Sequence, residues 1–185
     1  EAVGSADSFL AVADCVFKDN AATTGNGGAL ANLGLNEVVV LDGCTFTGNT
    51  ATTGEGGAVF IIDGALTMEN CTVSGNTANK GGGCAFNSGA VIDLEHITVT
   101  LNTATGSTAS KGGGLYPNGA SGTVASSIVC GNTDQFSGTS PDGITTDNVN
   151  GAFPGGSNNL RDQDAQLGAL ADNGGPTPTH RLLPG

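Results

Sequence analysis

An asparagine recurs along the chain at steps of 29, 27, 26 and 30 residues, and this repeat constrains the fold more than any other feature. The five positions are Asn20, Asn49, Asn76, Asn102 and Asn132. Apolar and polar residues alternate around each asparagine, which is typical of short β-strands. A Gly-rich element follows the first four, as in Gly-Gly-Ala-Leu at 27–30 and Gly-Gly-Gly-Leu at 112–115. The chain is therefore predicted to consist of similar units that stack on one another.

A unit of this length without a helical pattern predicts one coil of a parallel β-solenoid, an all-β fold. Residues 1–132 provide about five such coils. Coils stack at about 4.8 Å, so the core is narrow and each coil adds one side chain to each column. The inward columns are predicted to include Leu10/Val39/Leu66/Ile92/Gly122, Val12/Leu41/Met68/Leu94/Val124, Phe17/Phe46/Val73/Val99/Val129 and Leu30/Val59/Cys84/Leu115. The bias of parallel crossovers favours a right-handed helix, and the asparagines are expected to form a hydrogen-bonded ladder.

The repeat ends after Asn132. Residues 133–185 are rich in Gly, Asn, Asp, Ser and Pro, which indicates loops. The leucines of 166–185 need a surface to pack against. We expect 133–185 to form a loop-rich cap or flap on the last coil, within one domain.

Charge excludes two classes of partner. The chain has 17 acidic and only 5 basic residues, a net charge of -12. Binding to nucleic acids or to an anionic membrane surface requires clustered Lys and Arg. The sequence also lacks an apolar stretch long enough for a transmembrane helix. We therefore expect no nucleic-acid partner and no membrane insertion.

The repeat motifs resemble two groups of bacterial surface proteins. Phe17-x-x-Asn20 with Gly-Gly-Ala-Leu, and Phe46-x-x-Asn49 with Gly-Gly-Ala-Val, resemble the FxxN and GGA(I/L/V) repeats of polymorphic outer-membrane proteins. The segment 166–185 resembles the C-terminal part of choice-of-anchor Q proteins. The resemblance implies a secreted right-handed β-helix at the bacterial cell surface or outside the cell. It supplies no catalytic motif, and relatives normally continue beyond the position of Gly185.

The cysteines leave several alternatives open. Cys15, Cys44 and Cys71 share one inward column, where they form either a packed column of thiols or a disulfide between coils. The state of the five Cys is not fixed by the sequence. Cys130 falls at an outward position and is a candidate for an intermolecular bridge.

Carboxylates are the other chemically active groups. Asp42, Glu69 and Glu95 are expected to stack on one outer edge, as a solvated edge, a calcium site or a catalytic pair for polysaccharide cleavage. In the tail, Asp162, Asp164 and Asp172 are a candidate for a second calcium site. No other cofactor is expected.

The remaining candidates are two histidines and a pair of aromatic residues. His96 is expected at an exposed corner, and His180 is expected to make a structural hydrogen bond in the tail. Phe60 and Tyr116 align as outward neighbours, either as an exposed stack that binds sugars or as a surface packed under the tail.

These observations favour a non-enzymatic structural protein of the cell surface. It would act as an adhesin, as a matrix component, or as a subunit that self-assembles into a filament through the solenoid ends. The chain begins on a coil at Ser8–Asn20, so 1–14 and 166–185 are the expected contact segments. The alternative is a β-helix that binds or degrades carbohydrate through an outer face, with or without calcium.

Overall fold

The computed structural model describes residues 8–107, 112–135, 149, 156–161 and 165–184. These residues form 22 strands and no helix. Twenty of the strands lie in four parallel sheets, and two form an antiparallel hairpin. The structure confirms the predicted all-β parallel solenoid.

Each of the first four coils contributes one strand to each of the four sheets, and the fifth contributes one to each of the first three. The first sheet consists of β1 (Phe9–Ala13), β5 (Val38–Asp42), β9 (Ala65–Glu69), β13 (Val91–Glu95) and β17 (Ser121–Ala125). The second consists of β2 (Val16–Lys18), β6 (Thr45–Thr47), β10 (Thr72–Ser74), β14 (Thr98–Thr100), β18 (Ile128–Val129) and β20 (Leu160–Arg161). The third consists of β3 (Ala21–Ala22), β7 (Thr50–Glu55), β11 (Thr77–Lys80), β15 (Thr103–Ala104) and β19 (Thr133–Asp134). The fourth consists of β4 (Leu30–Asn32), β8 (Val59–Ile61), β12 (Cys84–Asn87) and β16 (Leu115–Asn118). The hairpin consists of β21 (Leu167–Ala171) and β22 (Thr179–Leu182).

The strands stack in register, so the predicted columns form. Leu10 lies opposite Val39, and Val39 lies opposite Leu66. In the second sheet Phe17 lies opposite Phe46, and their rings stack with centroids 4.6 Å apart. The inward residues of coils two to four are almost fully buried and form one continuous core. Short strands with few large side chains thus suffice, because every core residue packs against the coils above and below it.

The two glycines of each Gly-Gly pair have different roles. The first occupies the left-handed region, with φ of +71° at Gly56, where a side chain would be strained. The second allows close approach between coils, since a Cβ on Gly57 would lie 2.1 Å from the carbonyl oxygen of Gly82. The pair therefore marks the corner between the third and fourth sheets.

The solenoid differs at its two ends. In coil one the inward residue Leu10 is 45% exposed, whereas Val39 above it is 4% exposed. Coil five is followed by residues 156–161, in which β20 pairs with β18 and Ser157 accepts a hydrogen bond from the backbone N–H of Ser126. The first coil is thus open, and the last is partly covered.

The hairpin lies on the side of the solenoid rather than on the last coil. Thr177 donates a hydrogen bond to the carbonyl of Gly43, and Thr45 donates one to the carbonyl of Pro178. Both contacts are made with coil two. Of the predicted cap 133–185, residues 156–161 continue the last coil, while 166–184 cover a flank. The expectation that 166–185 pack on the last coil is therefore wrong for the described residues, whereas a role of this segment in self-association stays a prediction.

Candidate functional site

The five repeat asparagines form a continuous ladder through the core. Oδ1 of Asn49 accepts hydrogen bonds from the backbone N–H and from Nδ2 of Asn20, at 3.0 and 2.8 Å. Nδ2 of Asn49 donates one hydrogen to Oδ1 of Asn76 and the other to the carbonyl of Phe17, both at 2.9 Å. The same pattern continues through Asn76, Asn102 and Asn132. The buried amides are satisfied in this way, so the ladder stabilises the corner.

The cysteine column contains thiols rather than a disulfide. Cys44 and Cys71 are buried, and the backbone N–H of Cys44 donates to Sγ of Cys71 at 3.4 Å. Burial raises the pKa of Cys71 to about 12, and it does the same for Cys84. These thiols stay protonated at neutral pH and are poor nucleophiles.

Cys130 does not lie at the surface. It is only 4% exposed, so the expected intermolecular contact through this residue is wrong for the described structure. The strand β18 ends at Val129, so strand alternation does not determine the direction of the next side chain. The exposed thiol is instead Cys15, in the open first coil.

A carboxylate edge forms where the first sheet ends. Asp42, Glu69 and Glu95 lie opposite one another in three successive coils. His96 follows at an exposed corner with φ of 52°, and ligand atoms of Glu69, Glu95 and His96 lie within 4.8 Å of one another. Carboxylate and imidazole groups can bind divalent metals. All three side chains are exposed, however, and such a group is also stable as a solvated edge.

Of the three residues predicted to form a calcium site in the tail, the structure describes Asp172. Asp162 and Asp164 lie outside the described residues. Asp172 is exposed, and its Oδ1 accepts a hydrogen bond from the backbone N–H of Gly174 at 2.9 Å. This contact belongs to the turn between β21 and β22.

His180 holds the hairpin to the second sheet. Its Nδ1 lies 2.7 Å from the carbonyl of Gly168 and its Nε2 lies 2.9 Å from Oγ of Ser74. Because a carbonyl only accepts, Nδ1 carries a hydrogen, and in the neutral ring Nε2 accepts from the serine hydroxyl. His180 therefore has the predicted structural role.

The aromatic pair does not form an exposed stack. Phe60 is 2% exposed, Tyr116 is half-buried, and Ala85 lies between them in register. A sugar-binding platform of two exposed rings is thus not present on this face.

A polar network beside Tyr116 was not expected from the sequence. Lys80 Nζ lies 2.6 Å from Oε1 of Glu55, and Nδ2 of Asn87 donates to Oε2 of the same carboxylate at 2.9 Å. Asn118 Nδ2 donates to Oδ1 of Asn87 at 3.1 Å. The side chains of Lys80 and Glu55 are 28% and 15% exposed. An amine, a carboxylate and an amide thus meet in a site with limited access to water.

An open groove of about 600 Å³ runs along the corner that joins the fourth sheet to the first. The residues that line it include the acidic Glu37 and Asp63 and the apolar Val38, Ala65 and Val91. The groove crosses coils two to four, and it offers acidic and small apolar groups without an aromatic ring.

The fold defines the chain as a parallel β-solenoid repeat protein. Within the described ranges, no helix has the length and apolar character needed to cross a membrane. One part of the chain, residues 43–62, matches the family model of the Chlamydia polymorphic membrane protein repeat. No curated protein and no solved structure matches the chain.

The matched segment is coil two from its corner glycine through β8, and it contains Phe46, Asn49 and the pair Gly56-Gly57. It supports the predicted resemblance to polymorphic outer-membrane proteins for this coil. It also favours a surface-associated repeat protein. The resemblance of 166–185 to choice-of-anchor Q proteins, and secretion, stay predictions.

Proposed function

We propose that the chain is a non-catalytic structural module of a cell-surface or extracellular protein, and that its open first coil joins a further parallel coil of the same repeat type. The observation that carries this proposal is the exposed interior of coil one. Leu10 belongs to a core column but is 45% exposed, and the outward residues Phe9 and Val16 are 69% and 47% exposed. Exposed apolar surface at an open sheet edge favours association with another strand-forming segment.

The asparagine ladder supports a parallel, in-register partner. Each Asn Oδ1 within the ladder accepts two hydrogen bonds from the preceding coil. Among the described residues, none donates to Oδ1 of Asn20, which is exposed. A preceding coil with an asparagine at this position would supply both donors and would cover Leu10.

The partly covered last coil argues against indefinite head-to-tail filaments. Asn159 Oδ1 accepts from the backbone N–H of Ser127 at 2.9 Å, and its Nδ2 donates to the carbonyl of Val124 at 2.6 Å. Asn159 thereby occupies the N–H of Ser127 and the carbonyl of Val124, which the first coil of a second copy would need for hydrogen bonds to coil five. The joining coil is accordingly a neighbouring repeat rather than the far end of an identical chain, and adhesion or matrix formation is favoured over a simple fibre.

A coil extension tests this proposal. A copy of residues 37–63 is inserted between Asp7 and Ser8, which places the copied Asn49 one coil ahead of Asn20. We expect a higher Tm than that of the parent chain and slower exchange of the Asn20 backbone amide. The control is an insert of the same composition in scrambled order. Equal Tm values for the two inserts would contradict the proposal.

The groove along Glu37 and Asp63 favours one alternative, carbohydrate binding at the outer surface. Its test is a screen of acidic and neutral polysaccharides with and without Ca²⁺. Binding that is lost in Asp63→Asn would support it. An absence of binding to both kinds of polysaccharide would reject it.

A further inference from the structure

The network around Glu55 brings together the groups needed to join an amine to an amide. Lys80 ends β11 and Asn87 ends β12, so the two residues flank the Gly81–Gly83 corner of one coil. Glu55, one coil earlier, lies opposite Lys80 and contacts both side chains, with Oε1 on Nζ and Oε2 on Nδ2. One carboxylate thus holds a nucleophilic nitrogen and an amide next to each other.

The amide of Asn87 is also polarised from its other side. Nδ2 of Asn118 donates to its Oδ1 at 3.1 Å. A donor at this position stabilises the negative charge that develops on the oxygen when the carbonyl carbon is attacked. Asn118 is brought there by the in-register pairing of β12 with β16.

We propose that Lys80 and Asn87 form an intramolecular isopeptide bond, with Glu55 as the proton carrier. Oε1 of Glu55 takes a proton from the Lys80 ammonium, and the neutral amine attacks Cγ of Asn87. The Nζ–Cγ bond forms, and the second amine proton passes through Glu55 to Nδ2. The Cγ–Nδ2 bond then breaks, and the leaving ammonia takes the first proton from Glu55 and departs as ammonium. The step consumes no oxidant, reductant or other reactant, and Glu55 ends as it began.

The surroundings favour this reaction over simple solvation of the pair. The Glu55 side chain is 15% exposed, and the Tyr116 ring centroid lies 5.6 Å from Lys80 Nζ. Limited access to water strengthens hydrogen bonds in the site and lowers the cost of forming a neutral pair. The hydrogen bond with Glu55 raises the pKa of Lys80, which favours the unreactive ammonium at neutral pH. Bond formation should therefore become faster as the pH rises and more of the amine is neutral.

Intact-mass measurement of the purified full chain tests the proposal. The chain is incubated at pH 7 and pH 9, and its mass is followed. We expect the loss of one ammonia, about 17 Da, that goes to completion faster at pH 9. Trypsin should then fail to cut after Lys80, so that residues 19–111 remain one peptide with the mass deficit confined to the segment 80–87. This location distinguishes the bond from ammonia loss at any other asparagine.

Three variants define the roles. Asn87→Ala should keep its full mass and be cut at Lys80, and Glu55→Gln should behave in the same way. Asn87→Asp retains a carboxyl carbon for attack, and it should lose water, about 18 Da, instead of ammonia. The control is Asn79→Ala, which changes an asparagine beside Lys80 whose side chain donates to the carbonyl of Thr53, and this variant should cross-link as the parent does. Full mass and normal cleavage at Lys80 in the folded parent chain after prolonged incubation at pH 9 would overturn the proposal.

Discussion

Oδ1 of Asn102 accepts two hydrogen bonds from Asn76, one from its backbone N–H and one from its Nδ2, each at 2.9 Å. Asn76 is also the acceptor for Asn49, so one side chain connects three coils. The coils therefore do not rely on apolar stacking alone. A buried polar ladder fixes their register, because a shift by one residue would leave several amides without partners.

Removal of one ladder residue should cost more inside the ladder than at its open end. Asn76→Ala leaves the backbone N–H of Asn49 unsatisfied in the core and removes one hydrogen bond to the carbonyl of Phe46. We expect a loss of about 2–4 kcal/mol in the free energy of unfolding. The matched control is Asn20→Ala, in which the lost side-chain bond is the one to Asn49 Oδ1 and the expected loss is about 1 kcal/mol. Urea unfolding measures both, and equal losses would contradict this role of the ladder.

The cysteines should differ sharply in reactivity. Cys15 is exposed, whereas the other four are buried. With a thiol reagent at pH 8, we expect one thiol to react rapidly in the folded chain and the rest only after unfolding. Cys15→Ser should abolish the rapid phase. A rapid phase of more than one thiol, or one that survives in Cys15→Ser, would show that the column is accessible.

The raised thiol pKa values predict a loss of stability at alkaline pH. An unfolded thiol has a pKa of 9.0, whereas the pKa values of Cys71 and Cys84 in the folded chain are about 12. Between these values the unfolded state loses protons that the folded state retains, so stability falls as pH rises above about 9. Below that pH both states are protonated and these groups contribute no slope.

The variant Cys71→Ser isolates this effect from the titration of Lys and Tyr side chains. Its Tm should fall less steeply between pH 9 and pH 11 than that of the parent chain. Parallel slopes would mean that Cys71 is not the group that titrates.

The core could be predicted from the sequence because each column is set by a local pattern. The alternation around each asparagine and the fixed step to the next one place Leu10, Val39 and Leu66 in one line, and the structure has them so. The same alternation placed Asp42, Glu69 and Glu95 on one edge. Such contacts repeat once per coil, so a single alignment of the repeats finds them all.

The Lys80 network and the placement of the hairpin could not be found in this way. The segment between the asparagine and the Gly-Gly pair varies in length, and the register of Lys80 with Glu55 is shifted at an irregularity in β11. The hairpin contact of Thr177 with Gly43 spans 134 residues and belongs to no repeat. Neither contact leaves a local signal in the sequence, apart from the charge complementarity of Glu55 and Lys80.

The hairpin should be held mainly by polar contacts. Thr177 is 5% exposed, and its hydroxyl bonds the Gly43 carbonyl at 2.7 Å. Thr177→Val keeps the shape but removes this donor and leaves a buried acceptor, at a cost of about 1–3 kcal/mol. We expect faster tryptic cleavage after Arg181, which lies in β22. The control Thr53→Val changes an exposed threonine in β7 and should leave this cleavage rate unchanged, whereas equal acceleration in both variants would reject the contact.

The carboxylate edge should be a site of electrostatic strain. Glu69 lies between Asp42 and Glu95 in register, and like charges directly opposite one another on adjacent strands destabilise a sheet. Glu69→Gln should therefore raise the Tm at low salt, and the gain should shrink in about 1 M NaCl, where the Debye length is about 3 Å. The control is Asp93→Asn, on the same outer face of the first sheet. Asp93 lies opposite Thr67 rather than another carboxylate, and the Thr123 hydroxyl donates a hydrogen bond to it. A Glu69→Gln variant that is less stable than the parent at low salt would instead show that the carboxylate is held by a cation, and addition of EDTA to the parent chain should then lower its Tm by a similar amount.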